Sequence, residues 1–206
     1  MPKSRIASAA LAAAVLAGVI AAVALSPSGG GGRTQGLKIS SLPGVSATSA
    51  QSSDGSTVKF AFLARQTSNS CGLQPSAIAG ISSRMRMQGA CCFPMNLAAY
   101  QSQVRGLRVY AGISQIPRDP YDVPVSLVKR LLTYDQAIRL SPAQAQTYTQ
   151  AMHMSRLKGP CCCHCWRWYA FRGLSKHLIA DVHWRPARIA ALTELLEGCG
   201  GPAGNA

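Results

Sequence analysis

Hydrophobic residues follow two regimes along this chain. From Ile6 to Leu25 they run for twenty positions without a charge, interrupted only by Ser8 and Gly18. From about residue 57 they recur at three- and four-residue spacing, in blocks divided by Gly and Pro, the pattern of amphipathic helices. Pro75 to Gln88 predicts a first helix with Ile78, Ile81 and Met85 on one face and Gly89 as its stop. Pro94 opens a second, with Leu97, Tyr100, Val104 and Leu107. A third starts at Pro124 or Ser126 and carries Val128, Leu131, Leu132 and Ile138. Ser141-Pro142 supplies an N-cap and a first-turn proline for a fourth, which carries Tyr148, Ala151, Met152 and Leu157 and closes at Gly159. A fifth opens within residues 160–165 and continues through Trp166, Tyr169, Ala170, Leu174, His177 and Leu178. The sixth runs from Pro186 through Ile189, Leu192, Leu195 and Leu196 to Gly198. Thr57 to Leu63 alternates at Val58, Phe60 and Phe62 and reads as a strand or as a helix start. Residues 116–124 hold three prolines and read as a loop. The predicted class is all-α, a small bundle of five or six helices with a cysteine-rich end.

The apolar run gives the chain its organisation. Lys3 and Arg5 precede it. It is long enough for a membrane anchor, and Ala22-Val23-Ala24 resembles the cleavage site of a secretory signal. Both readings leave the basic end in the cytoplasm and export the remainder. The next cysteine is Cys71, which excludes a lipid-modified cysteine at the end of the run. Residues 26–56, with Gly29–Gly32 and a Ser/Thr/Ala/Gln tract, read as a flexible tether. Residues 57–201 form one domain, long enough to bury a single core, and 202–206 a disordered tail.

Charge adds a partner class. The chain has 21 Lys+Arg against 7 Asp+Glu, and residues 57–206 keep 17 basic against 6 acidic residues, a net +11. Such a surface is drawn to an anionic membrane or a cell-wall polymer. The bases are scattered, no nucleic-acid-binding motif is present, and no nucleic acid is expected as a partner.

Cysteine placement carries the chemistry. Eight cysteines are present, and residues 160–165 read Pro-Cys-Cys-Cys-His-Cys. Cys161, Cys162, Cys163 and Cys165, with His164, crowd what the periodicity predicts as a helix N-terminus, where the helix dipole favours thiolate. Cys91 and Cys92 stand at another helix junction, and Cys199 ends the last helix. Junctions that meet at one end of the bundle would bring these thiols together. Three uses compete: a soft-metal centre, a disulfide framework and thiol redox chemistry. Disulfide candidates are Cys71, Cys91, Cys92 and Cys199. Neighbouring cysteines are poor partners for each other, since their Cα atoms lie about 3.8 Å apart, below the roughly 4.4 Å of a relaxed bridge. Ligand chemistry favours copper(I), with zinc second and mercury(II) as a related soft ion. Methionines 85, 87, 95, 152 and 154 are core fillers first and thioether ligands second.

Pro160-Cys161-x-Cys163-x-Cys165 resembles the Pro-Cys-Tyr-Cys-Gly-Cys signature of a family of exported, cysteine-rich bacterial proteins, and Cys199-Gly200 resembles that family's later Cys-Gly. Cys162 stands in place of the tyrosine and His164 in place of the glycine, and the second downstream cysteine is absent. The resemblance covers residues 148–201 at most and implies heavy-metal binding outside the cytoplasm.

An enzyme reading is weaker. No phosphate loop, nucleotide fingerprint or serine nucleophile motif occurs. Cys165 is followed by Trp166, which excludes a c-type haem site. His153, His177 and His183 show no ligand spacing with one another. The aromatic segment from Trp166 to Phe171 reads as core, as cover for a metal centre or as a membrane-interface contact.

Overall fold

A computed structural model describes residues 55–201. The signal or anchor segment, residues 26–54 of the tether and the tail fall outside the described residues. Seven α-helices, one 3₁₀ turn and one two-stranded ladder follow in order: α1 Gly55–Leu63, α2 Pro75–Gly80, β1 Arg86–Gln88, α3 Leu97–Leu107, the 3₁₀ turn Arg108–Tyr110, β2 Asp122–Pro124, α4 Val125–Ala137, α5 Pro142–Met154, α6 Trp166–Ala180 and α7 Pro186–Leu195. The fold is mostly helical, as the periodicity predicts, with a small antiparallel ladder in addition. Thr57–Leu63 belongs to a helix, which begins two residues inside the expected tether.

The core forms around α4 and α6. Val125, Val128, Leu131 and Leu132 on α4 meet Ala170, Phe171, Leu174 and Leu178 on α6, and Ile189 and Leu192 of α7 join them. Gly173 sets how closely α4 and α6 approach: a Cβ there would lie 2.0 Å from the Leu131 carbonyl oxygen. The crossing is pinned by Arg172, whose Nε and Nη2 donate to the two carboxylate oxygens of Asp135 at 2.6 and 2.7 Å. Ser141 caps α5 as predicted. Its hydroxyl accepts from the Gln144 N–H, and the Gln144 side chain accepts from the Ser141 N–H, closing a capping box. A smaller cluster of Leu63, Tyr100 and Tyr121 seats α1 beside α3.

Four expectations about local structure need correction. The helix expected over Pro75–Gln88 ends at Gly80. Beyond it Ser82 takes the local bonds, its hydroxyl accepting from the Arg84 N–H and its carbonyl from the Met85 N–H, as serine does in competition with a helix. Arg86–Gln88 then pairs with Asp122–Pro124, with Met87 opposite Val123. The stretch 116–124 is therefore not all loop; Pro124 is tolerated at the end of a short edge strand. Helix α5 stops at Met154 rather than Gly159, because Ser155 is extended and Lys158 is left-handed at φ 53°. Finally, the cysteine segment is not helical. Cys165 is the N-cap of α6, with φ −91° and ψ −174°. The Trp166 N–H, which a helix through the cysteines would direct to Cys162, donates to the Leu73 carbonyl at 2.8 Å.

Candidate metal centre

Four separate segments carry the eight cysteines to one place, and backbone bonds hold the segments together. The 91–94 stretch lies along 198–201: the Cys91 N–H donates to the Gly198 carbonyl at 3.0 Å, the Phe93 N–H to that of Cys199 at 2.7 Å, and the Gly201 N–H to that of Pro94 at 2.7 Å. Gly200 makes this possible. Its φ is +77°, and a Cβ would lie 2.0 Å from the Phe93 carbonyl oxygen. The loop bearing Cys71 is fixed by Asn69, which is buried. Its amide donates to the Gly89 carbonyl at 2.8 Å and accepts from the Trp166 indole N–H at 3.1 Å. Asn69 thereby ties the Cys71 loop both to the strand before Cys91 and to the helix that begins after Cys165.

The sulfurs fall into four triads, each with its three Sγ atoms within 4.8 Å of one another: Cys71, Cys92 and Cys163; Cys91, Cys161 and Cys199; Cys92, Cys162 and Cys199; and Cys161, Cys163 and Cys165. Close pairs include Cys162–Cys199 at 2.8 Å, Cys161–Cys199 and Cys92–Cys162 at 3.5 Å, and Cys91–Cys92 at 3.4 Å. All eight are free thiols, including the disulfide candidates Cys71, Cys91, Cys92 and Cys199. Cys161, Cys165 and Cys199 are buried, Cys91 and Cys163 half-buried, and Cys71, Cys92 and Cys162 exposed. The cluster is a surface-connected well with buried sulfur at its floor.

Every cysteine singled out as a metal ligand is in the cluster. His164 joins none of the triads; its ring packs on Trp168 at 4.0 Å between centroids. Met87 and Met152 pack in the core. Cys71 enters as a neighbour of Cys92 and Cys163, a role the sequence analysis did not assign to it. Its nearest cysteine in sequence is twenty residues away, and nothing local marks the loop for this place. Two aromatics of the tryptophan-rich segment divide their tasks: Trp166 is in the core, and Trp168 lies under Gly159 and His164.

Arg167 supplies the charge at this site. Its side chain is 0 % exposed, and its Nη1 and Nη2 donate to the Pro120 and Leu196 carbonyls at 2.8 Å each. Nε has no hydrogen-bond partner, and no carboxylate forms an ion pair with the guanidinium among the described residues. A buried cation without a counter-ion is costly. The field of Arg167 reaches the Glu197 carboxyl and the Cys91 and Cys161 sulfurs, where it favours the charged forms. The Lys158 ammonium donates to the His153 carbonyl at 2.8 Å.

The cluster's protonation is uneven. Hydrogen bonds from Cys165, Cys199 and Cys91 push the Cys161 thiol far down; burial opposes them and Arg167 assists. Its neighbours move the other way. Cys91 is pushed up by its bonds to Cys161, Cys165 and Cys199, Cys162 and Cys163 by burial first, and Cys199 to about 11 by its bond to Cys161. A bound metal cation deprotonates a coordinating thiol outright, so a soft cation held here would displace thiol protons.

No helix among the described residues is long and apolar enough to cross a membrane. No protein-family model, curated protein or solved structure matches this chain.

Proposed function

We propose that this protein is an extracytoplasmic soft-metal binder that sequesters or delivers copper(I), with zinc as the second candidate and mercury(II) as a related soft ion. The observation that carries the reading is the convergence of all eight thiols, from four segments of the chain, into triads of ligand dimensions. Thiolate bonds of about 2.3 Å in a trigonal plane set their sulfurs about 4.0 Å apart; the triads lie within 4.8 Å, and the Cys162–Cys199 pair at 2.8 Å would open on binding. Soft thiolates select copper(I) and zinc over hard cations. The exported location rests on Lys3, Arg5 and the apolar run Ile6–Leu25. The same location and metal class are implied by the resemblance of Pro160–Cys165 to the Pro-Cys-Tyr-Cys-Gly-Cys signature. The net charge of +14 supports residence against an anionic membrane or cell-wall polymer.

The test is a competition titration of the reduced full chain against a chromophoric copper(I) chelator, without oxygen, followed by zinc(II) and mercury(II). The expected result is copper(I) uptake that defeats the chelator and is abolished when Cys161, Cys163 and Cys165 are all changed to Ser. Uptake that survives the triple substitution would place the site elsewhere, and no uptake of any soft ion would end the proposal.

A further inference from the structure

The four sulfur triads close into a ring. Cys92 belongs to the Cys71 triad and the Cys162 triad, and Cys199 to the Cys162 triad and the Cys91 triad. Cys161 belongs to the Cys91 triad and the Cys165 triad, and Cys163 to the Cys165 triad and the Cys71 triad. Each triad therefore shares one sulfur with each of two neighbours and none with the triad opposite. Each also keeps one sulfur to itself: Cys71, Cys162, Cys91 or Cys165.

From this connectivity we infer that the protein assembles a tetranuclear copper(I)–thiolate ring, with Cys92, Cys199, Cys161 and Cys163 as bridges and the other four cysteines as terminal ligands. This inference rests on the soft-metal reading above. The bond count is complete. Four bridging sulfurs offer two bonds each and four terminal sulfurs one each, which gives every copper three thiolates and leaves no cysteine over. Zinc does not satisfy the same pattern, because its structural sites require four ligands and His164 is in none of the triads. Loading replaces each S–H proton by copper–sulfur bonds. Up to eight protons leave for four copper(I) ions, and neither sulfur nor copper changes oxidation state. Four single positive charges against eight thiolates leave −4 on the cluster. The Arg167 cation, which lacks a carboxylate partner among the described residues, opposes that charge from within the core. The Cys71 and Cys162 triads share Cys92 and each have two exposed sulfurs, so copper enters on this side of the ring; shared sulfurs pass it inward.

The experiment loads the reduced full chain with copper(I) without oxygen, removes excess metal against a weak chelator, and measures copper per chain together with X-ray absorption at the copper edge. The ring predicts four coppers, three sulfur neighbours each and a short copper–copper vector. Two exposed positions separate bridge from terminus without touching the core. Cys71→Ser removes one bond and should leave at least three coppers. Cys92→Ser removes two bonds in two adjacent sites and should leave two or fewer, with circular dichroism unchanged in both variants. Any other wild-type stoichiometry, absence of a copper–copper vector, or equal losses in the two variants would overturn the ring. Binding of one or two isolated coppers overturns the ring alone. No copper uptake likewise overturns the ring, and failure to take up zinc(II) or mercury(II) as well overturns the soft-metal reading with it.

Discussion

Gly198 leaves the space that the Arg167 guanidinium fills: a Cβ at 198 would lie 2.2 Å from Arg167 Nη2 and 2.3 Å from Cζ. The residue before the buried Cys199 is thus glycine because a cation is lodged in the core beside the sulfurs. Gly198→Ala should displace the guanidinium from the Leu196 carbonyl and destabilise the fold by about 2 kcal/mol. Urea unfolding of the metal-free reduced protein reads that cost, and an unchanged midpoint would show that Arg167 is free to move.

Arg167 should matter more to the loaded cluster than its two carbonyl bonds require. Arg167→Met keeps much of the apolar bulk against Trp166 and Phe171 and removes the charge. It should weaken copper(I) binding about tenfold or more, which is about 1.4 kcal/mol. Arg167→Lys should restore most of the affinity. If Met and Lys variants bind alike, the cation does not act on the cluster.

The α4–α6 crossing carries a pH dependence of its own. Burial pushes the Asp135 carboxyl up, but hydrogen bonds from Arg172 and Lys176 and their charges outweigh it and hold the group below its ordinary range. A depressed carboxylate stabilises the fold fully above the unfolded value of about 3.9, and that stability is lost as pH falls through the lower folded value. Asp135→Asn should therefore cost roughly 2 kcal/mol at pH 7 and flatten the acid limb of stability against pH below about 4. Thermal melts of both proteins from pH 7 to pH 2 check this.

His164 should be dispensable for metal. It sits among four cysteines in sequence, yet its ring rests on Trp168 and shares no triad. His164→Ala should leave copper stoichiometry and affinity unchanged while increasing exposure of Trp168, read by fluorescence quenching.

These residues also mark what the sequence makes legible. Proline marks the starts of α2, α4, α5 and α7, whereas the glycines at 89, 159 and 198 lie beyond the true helix ends; cysteines at the helix junctions predict a thiol cluster. Cys91, Cys92, Cys161, Cys163, Cys165 and Cys199 were placed together on that ground. The route differs, however. The cysteines do not share a helix face, because the Trp166 N–H bonds to Leu73 instead of to the preceding turn. Cys71 was invisible as a cluster member because its position depends on Asn69, whose partners Gly89 and Trp166 are remote in sequence. Helical spacing at Ile78, Ile81 and Met85 likewise concealed β1, since three residues of strand carry too few positions to show an alternating period. His164 shows the converse: adjacency along the chain did not bring its ring into the sulfur cluster.

The most direct measurement is a parallel count of metal and thiols on the full chain taken from its native source without oxygen. Native mass spectrometry gives the metal bound, and alkylation after unfolding and metal removal gives the free cysteines. The account predicts bound copper and eight alkylatable cysteines. Four disulfides in the native protein, together with no metal uptake after reduction, would contradict it and leave a disulfide-stapled helical module in its place.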